Sequence, residues 1–172
     1  MDTAYIALGA NLPSPAGSPR QTLDAAIQRL GELGNVIAQS SYYSTEPVGY
    51  ADQPEFLNAA ISLETALESE PLLERLLAIE RDFGRDRSHG IPNGPRTLDL
   101  DLILYGGRIL STPSLQLPHP RMAQRAFVLV PMAEIAPDLN HPVLHRTMTQ
   151  LLQDLSAREL SKQHQISKEG SL

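Results

Sequence analysis

The sequence predicts an α+β fold of the split βαβ kind, with a mainly antiparallel sheet, helices packed on one face, an extra β-hairpin and C-terminal helices. Over residues 3 to 105, segments of period two and period 3.6 follow one another as strand, helix, strand, strand, helix, strand. Glycine, proline and asparagine stand at the joints. There is no G-x-x-x-x-G-K-[ST] and no G-x-G-x-x-G opening a helix, so P-loop and Rossmann architectures are excluded.

The first strand is Thr3 to Leu8, whose bulky positions alternate before Gly9-Ala10-Asn11. A helix follows, with Ser18 as its cap, Pro19 in the first position and Gln21 closing a capping box. Its apolar stripe is Leu23, Ala26, Ile27, Leu30 and Leu33, and Gly34-Asn35 ends it. Val36 to Thr45 reads as the second strand and Glu46 to Pro54 as a polar loop. Phe56 to Glu64 alternates cleanly: Leu57, Ala59, Ile61 and Leu63 face a core, while Phe56, Asn58, Ala60, Ser62 and Glu64 form a mostly polar, available face. Ser69 begins a second helix with Leu72, Leu73, Leu76, Ile79 and Phe83 on its stripe and Gly84 as its stop.

Residues 85 to 95 carry no periodicity, as a functional loop would. Leu98 to Tyr105 returns to period two, with Leu98, Leu100, Leu102 and Leu104 on one face and Asp99, Asp101, Ile103 and Tyr105 on the other. Gly106-Gly107 can turn this strand into a short partner at Arg108 to Leu110. Helix is expected again from about Arg121 to Ala136, and Thr147 with Gln150 offers another capping box before Met148, Leu151, Leu152 and Leu155. Residues 156 to 172 form a polar tail, leaving one domain over 1–172 with a core of about 3–155.

Composition narrows the function. The 172 residues include 14 Lys+Arg against 20 Asp+Glu, a net charge of −6, with 41% hydrophobic and 20% charged residues. Such a chain can bury a core, and its acidity disfavours a general nucleic-acid binder. No 18-residue apolar run and no basic residue before Arg20 occur, so neither a membrane span nor a signal peptide is expected and the address is cytoplasmic. Without cysteine there is no disulfide, thiolate or Cys-ligated metal chemistry. The charge is uneven: residues 85 to 125 hold six arginines against three acids. Guanidinium forks match phosphate oxygens bidentately, so this excess suits a small polyanion.

Asp99 and Asp101, two apart on one strand, point the same way about 6.5 to 7 Å apart. Side by side they repel, and a divalent cation relieves that repulsion. Magnesium commonly takes one or two carboxylates together with phosphate oxygens, which Arg85, Arg87 and Arg96 nearby could steady. Three readings remain at this point: a phosphoryl-type transferase, a metal-dependent nucleotidyl- or glycosyltransferase using Asp-x-Asp, and a non-catalytic ligand-binding module.

The string Gly94-Pro95-Arg96-Thr97-Leu98-Asp99-Leu100-Asp101 resembles a motif of the 6-hydroxymethyl-7,8-dihydropterin pyrophosphokinases of folate biosynthesis. So do Ala7-Leu8-Gly9-Ala10-Asn11, Tyr43 to Gly49, Phe56-Leu57-Asn58-Ala59-Ala60 and Pro118-His119-Pro120-Arg121-Met122, in the same order. The resemblance, over about residues 3 to 138, implies a ferredoxin-like fold, ATP as co-substrate, two magnesium ions and transfer of a diphosphate to the pterin hydroxymethyl group with release of AMP. It assigns Asp99 and Asp101 to the metal, and Gly9, Thr45, Val48, Phe56, Asn58 and Phe127 to the pterin. Glu80, Arg87, Arg96, His119 and Arg125 fall to the nucleotide, with Arg85 and Arg96 catalytic beside the two aspartates. Glu80 could otherwise pair with Arg81 or Arg87. Asn93, after Pro92, stands where many relatives have an aromatic residue, Leu77 where a glutamine can occur, and Pro120 where a tyrosine is frequent. A monomer with small-molecule partners only is expected.

Overall fold

The computed structural model describes residues 1–45, 53–85, 95–155 and the backbone of 167–168. In chain order the elements are β1 (Asp2–Ala10), α1 (Pro19–Leu30), β2 (Asn35–Gln39), β3 (Tyr43–Thr45), β4 (Phe56–Thr65) and α2 (Ser69–Asp82). They continue with β5 (Asp99–Tyr105), β6 (Leu110–Ser111), β7 (Gln116–Leu117), a 3₁₀ turn (Met122–Gln124), α3 (Ala126–Ile135), α4 (Met148–Asp154) and β8 (Ser167–Lys168). β1 lies between β4 and β5 and is antiparallel to both. β2 and β3 pair with β4, and β8 continues the sheet beyond β3.

Local chemistry explains most boundaries. Ser18 and Gln21 form the expected capping box on α1, and Thr147 with Gln150 does the same for α4. The single strand expected over 36–45 is two strands. Between them Ser40 donates its N–H to the Ala60 carbonyl while its hydroxyl accepts the Ala60 N–H, each at 2.9 Å. A side chain thus replaces one ladder carbonyl, and the chain bends there. α1 stops at Leu30, capped by Gly31, short of Gly34. Gly34 serves a different end: a Cβ there would lie 2.1 Å from the Glu64 carbonyl oxygen, so only glycine lets β2 enter against β4.

The sheet has helices on both faces, not on one. α1 and α2 cover Ile6, Leu8, Ile61, Leu63, Leu100 and Leu102 in the larger core. α3 and α4 cover Ala7, Ala60, Ile103 and Leu104 on the reverse face. Small side chains at Ala7 and Ala60 let the apolar α3 approach the strands closely, so the face of β4 expected to be open is closed over Ala60. The expected alternation of β5 also breaks. A register shift opposite Tyr5/Ile6 turns Leu104 to the α3 face and Tyr105 to the larger core. β6 pairs with β7, not with β5.

Candidate functional site

Strand register builds the site. Asn58, Gly9 and Asp99 lie side by side across β4, β1 and β5, and Ala60, Ala7 and Asp101 form the next row. Directly paired residues share a face, so both rows belong to the side that α3 covers. Under α3 the row is apolar at its alanines; two residues along each strand it becomes polar.

Gly9 makes that polar row possible. A Cβ on it would stand 2.9 Å from Asn58 Oδ1. The Asn58 side chain is buried, and its Nδ2 donates to the buried Thr45 Oγ1 at 2.7 Å. Thr45 in turn pairs across the sheet with Phe56. The half-buried Phe56 ring has the Arg96 guanidinium 5.3 Å from its centroid, within cation–π range. Arg125 stands in the same relation to Phe127 at 5.4 Å, at the start of α3.

The carboxylates occupy β5. Asp99 Oδ1 accepts from Arg85 Nη1 at 2.7 Å and Oδ2 from Arg96 Nη1 at 3.1 Å. Arg85 also donates to the Leu98 carbonyl at 3.0 Å and lies 3.5 Å from Glu80 Oε2. Glu80, 1% exposed on α2, accepts the Leu100 N–H at 2.7 Å. β5 is an edge strand, and this carboxylate satisfies an N–H that faces away from β1. Glu80 therefore supports β5 and Arg85 from the larger core, and its ion-pair partner among the described residues is Arg85.

Burial pushes the Asp101 carboxyl up to about 7, and the charges of Asp99 and Glu80 add to the rise while Arg125 and Arg85 oppose it. The protein alone undercompensates this second carboxylate, which is the condition a bound cation would relieve. No cluster of three His, Cys, Asp or Glu occurs among the described residues. A cation on Asp99 and Asp101 would thus complete its shell with water or phosphate oxygens, as magnesium does.

His119 Nδ1 accepts the Arg121 N–H at 3.2 Å, which leaves Nε2 as the donor of the neutral ring. Burial, with Arg125 next in effect, takes its pKa down to about 4. Burial also lowers Arg125, against the pull of Asp101.

The structure thus gathers Gly9, Thr45, Phe56, Asn58, Asp99 and Asp101 on one stretch of sheet, with Arg85 and Arg96 reaching Asp99 from the segments before β5, and Phe127 and Arg125 at the start of α3. Glu80 stands at the outer edge of β5, on the Leu100 N–H and 3.5 Å from Arg85. Val48 and Arg87, with Pro92 and Asn93, fall outside the described residues. Sequence reasoning gave no role to Asn11, although it closes the Ala7–Asn11 segment; its buried amide bonds Arg96, Gln53 and Pro54.

Comparison with known proteins gives the family. The family model described as 7,8-dihydro-6-hydroxymethylpterin-pyrophosphokinase matches residues 5–137. A Pseudomonas aeruginosa protein named 2-amino-4-hydroxy-6-hydroxymethyldihydropteridine pyrophosphokinase is 46% identical over 138 residues, covering 80% of this chain and 83% of its own. One of the same name from Haemophilus influenzae is 40% identical over 164 residues, covering 94% and 98%. Among solved structures, Plasmodium falciparum HPPK-DHPS with pteroate superposes with a TM-score of 0.71 at 14% identity. That likeness covers 94% of this chain but only 43% of the longer one, and it bears on the fold alone.

Proposed function

This chain belongs to the 7,8-dihydro-6-hydroxymethylpterin-pyrophosphokinase family, and on that premise we propose that it transfers diphosphate from ATP to the hydroxymethyl group of 6-hydroxymethyl-7,8-dihydropterin, releasing AMP. The observation that carries the reading is the adjacency of two unlike surfaces on one antiparallel sheet. Asn58, Thr45 and Phe56 offer an amide edge and an aromatic face; Asp99 and Asp101, both on β5 and separated from β4 only by β1, offer charge flanked by Arg85 and Arg96.

In this reading Phe56 and Phe127 stack the flat pterin, while Asn58, fixed by Thr45, hydrogen-bonds its heteroatom edge. Gly9 admits the ring beside the backbone, and the family resemblance assigns Val48 to the pterin as well. Asp99 and Asp101 would hold two magnesium ions, which would supply positive charge to neutralise the triphosphate. Arg85, Arg87, Arg96 and Arg125 bind phosphate oxygens and offset the charge that develops as the bridge to the α-phosphate breaks. His119, neutral at working pH, donates from Nε2. The pterin hydroxyl attacks the β-phosphorus directly, so catalysis rests on positioning and electrostatics.

Incubation with ATP, Mg²⁺ and the hydroxymethyl dihydropterin, followed by mass analysis of both products, tests this. AMP and a diphosphorylated pterin are expected in equal amounts. ADP, inorganic pyrophosphate or unconsumed ATP would contradict it.

A further inference from the structure

We propose that Asn11 is a positioning residue that ties the pterin half of the site to the nucleotide half. The proposal rests on the functional reading above. Asn11 is 3% exposed and lies one residue past β1. Its own N–H donates to the Arg96 carbonyl at 3.1 Å, and its Oδ1 accepts the Arg96 N–H at 2.9 Å. Asn11 therefore engages both backbone polar atoms of Arg96, whose carbonyl also accepts the Leu12 N–H at 3.2 Å. The opposite end of the amide, Nδ2, donates to Gln53 Oε1 at 2.9 Å and to the Pro54 carbonyl at 3.0 Å.

Those partners are the entries to the two flanking strands. Pro54 stands two residues before Phe56, and Arg96 three residues before Asp99. Arg96 meets both surfaces: its guanidinium is 5.3 Å from the Phe56 ring centroid and 3.1 Å from Asp99 Oδ2. One planar amide, with both N–H groups and its oxygen engaged, thus sets the spacing between the β4 entry and the β5 entry across the end of β1. Only a side chain with a donor and an acceptor in that order can bond both. A shift of either entry moves Phe56 against Arg96, and with it the distance between the stacking surface and the phosphate surface.

The test is steady-state kinetics with Mg-ATP and 6-hydroxymethyl-7,8-dihydropterin on the full chain, for the wild type, Asn11→Asp and Asn11→Ala. The aspartate keeps an acceptor for the Arg96 N–H but turns an oxygen toward Pro54. Gln53 can rotate its amide to donate; the Pro54 carbonyl cannot. Asn11→Asp should raise the pterin KM about tenfold and leave the ATP KM within about twofold, while Asn11→Ala raises both about tenfold. Equal shifts of the two KM values in Asn11→Asp would overturn the proposal. So would a lowered melting temperature with both KM values unchanged, the mark of a strut that merely supports the fold. Should Asn11→Ala not fold, the aspartate variant decides alone. Amide hydrogen exchange gives a readout independent of turnover: Arg96 should lose protection in Asn11→Ala and keep it in Asn11→Asp. If the wild type released no AMP, the functional reading would fall, while exchange would still decide whether Asn11 holds Arg96.

Discussion

The two faces of the central strands differ in what a few residues of travel change. On the α1/α2 face, Ala4, Ile6, Leu8 and Ala10 of β1 meet Leu100, Leu102, Ile61 and Leu63 in an unbroken apolar layer. On the α3/α4 face the same strands present Ala7, Ala60 and Ile103, then Gly9, Asn58 and Asp99. The first face is stabilised by burial, each large aliphatic side chain contributing about 1.5–3 kcal/mol. The second gives up part of that burial for a polar strip, with Asp101 at the seam where a charge is least solvated. The polar strip proposed to bind the substrates sits where the apolar cover of α3 gives way, supported from behind by the larger core.

Substitutions on the two faces should separate along this line. The largest effect belongs to the polar strip: Asp99→Ala and Asp101→Ala should each lower kcat about 10²–10⁴-fold with pterin binding still measurable by calorimetry. Near-normal AMP production by both would remove the metal assignment. Leu8→Ala, on the opposite face of the same strand as Gly9, should cost about 2–5 kcal/mol of stability in a denaturant titration while leaving KM unchanged in the folded fraction.

Asp101→Asn should do the reverse and stabilise the metal-free protein by roughly 1–3 kcal/mol at pH 8, while lowering kcat no more than Asp101→Ala does. The sign follows from linkage. With its folded pKa raised to about 7, Asp101 favours the folded state fully below about pH 4, and this contribution is lost as pH rises through 7. His119, lowered to about 4, acts oppositely: its contribution is present above its ordinary value of 6.5 and is lost as pH falls through 4. Melting temperature followed from pH 5 to 8 in wild type and Asp101→Asn should therefore diverge with rising pH. The smallest effect is expected for Gly9→Ala. Its new Cβ must push Asn58 aside, which should raise the pterin KM about tenfold in steady-state assays with little change in melting temperature.

Much of this contrast was legible in the sequence. Period two placed Asp99 and Asp101 together and Asn58 opposite Leu57 and Ala59, because side-chain direction along a strand is fixed by the pleat. The capping boxes at Ser18 and Thr147 were readable because their partners lie three residues away. What escaped notice depends on distant partners. The register shift at Tyr5/Ile6 that reverses Leu104 leaves no mark in the β5 sequence itself, and α3 covers Ala60 through contacts about seventy residues apart. For Glu80, the sequence offered the nucleotide or a pair with Arg81 or Arg87, and its bond to the Leu100 N–H at the edge of β5 shows only in three dimensions. Asn11 showed a motif position but no periodicity, since its bonds reach residues 42 and 85 positions away.

The central claim is that the Asp99–Asp101 pair holds divalent cations against a nucleotide tail. Electron paramagnetic resonance of Mn²⁺ titrated into the protein with a non-hydrolysable ATP analogue addresses it directly, with the Asp99→Asn/Asp101→Asn double variant as comparison. Nucleotide-dependent Mn²⁺ binding that disappears in the double variant is the predicted result; equal binding by both proteins would contradict it.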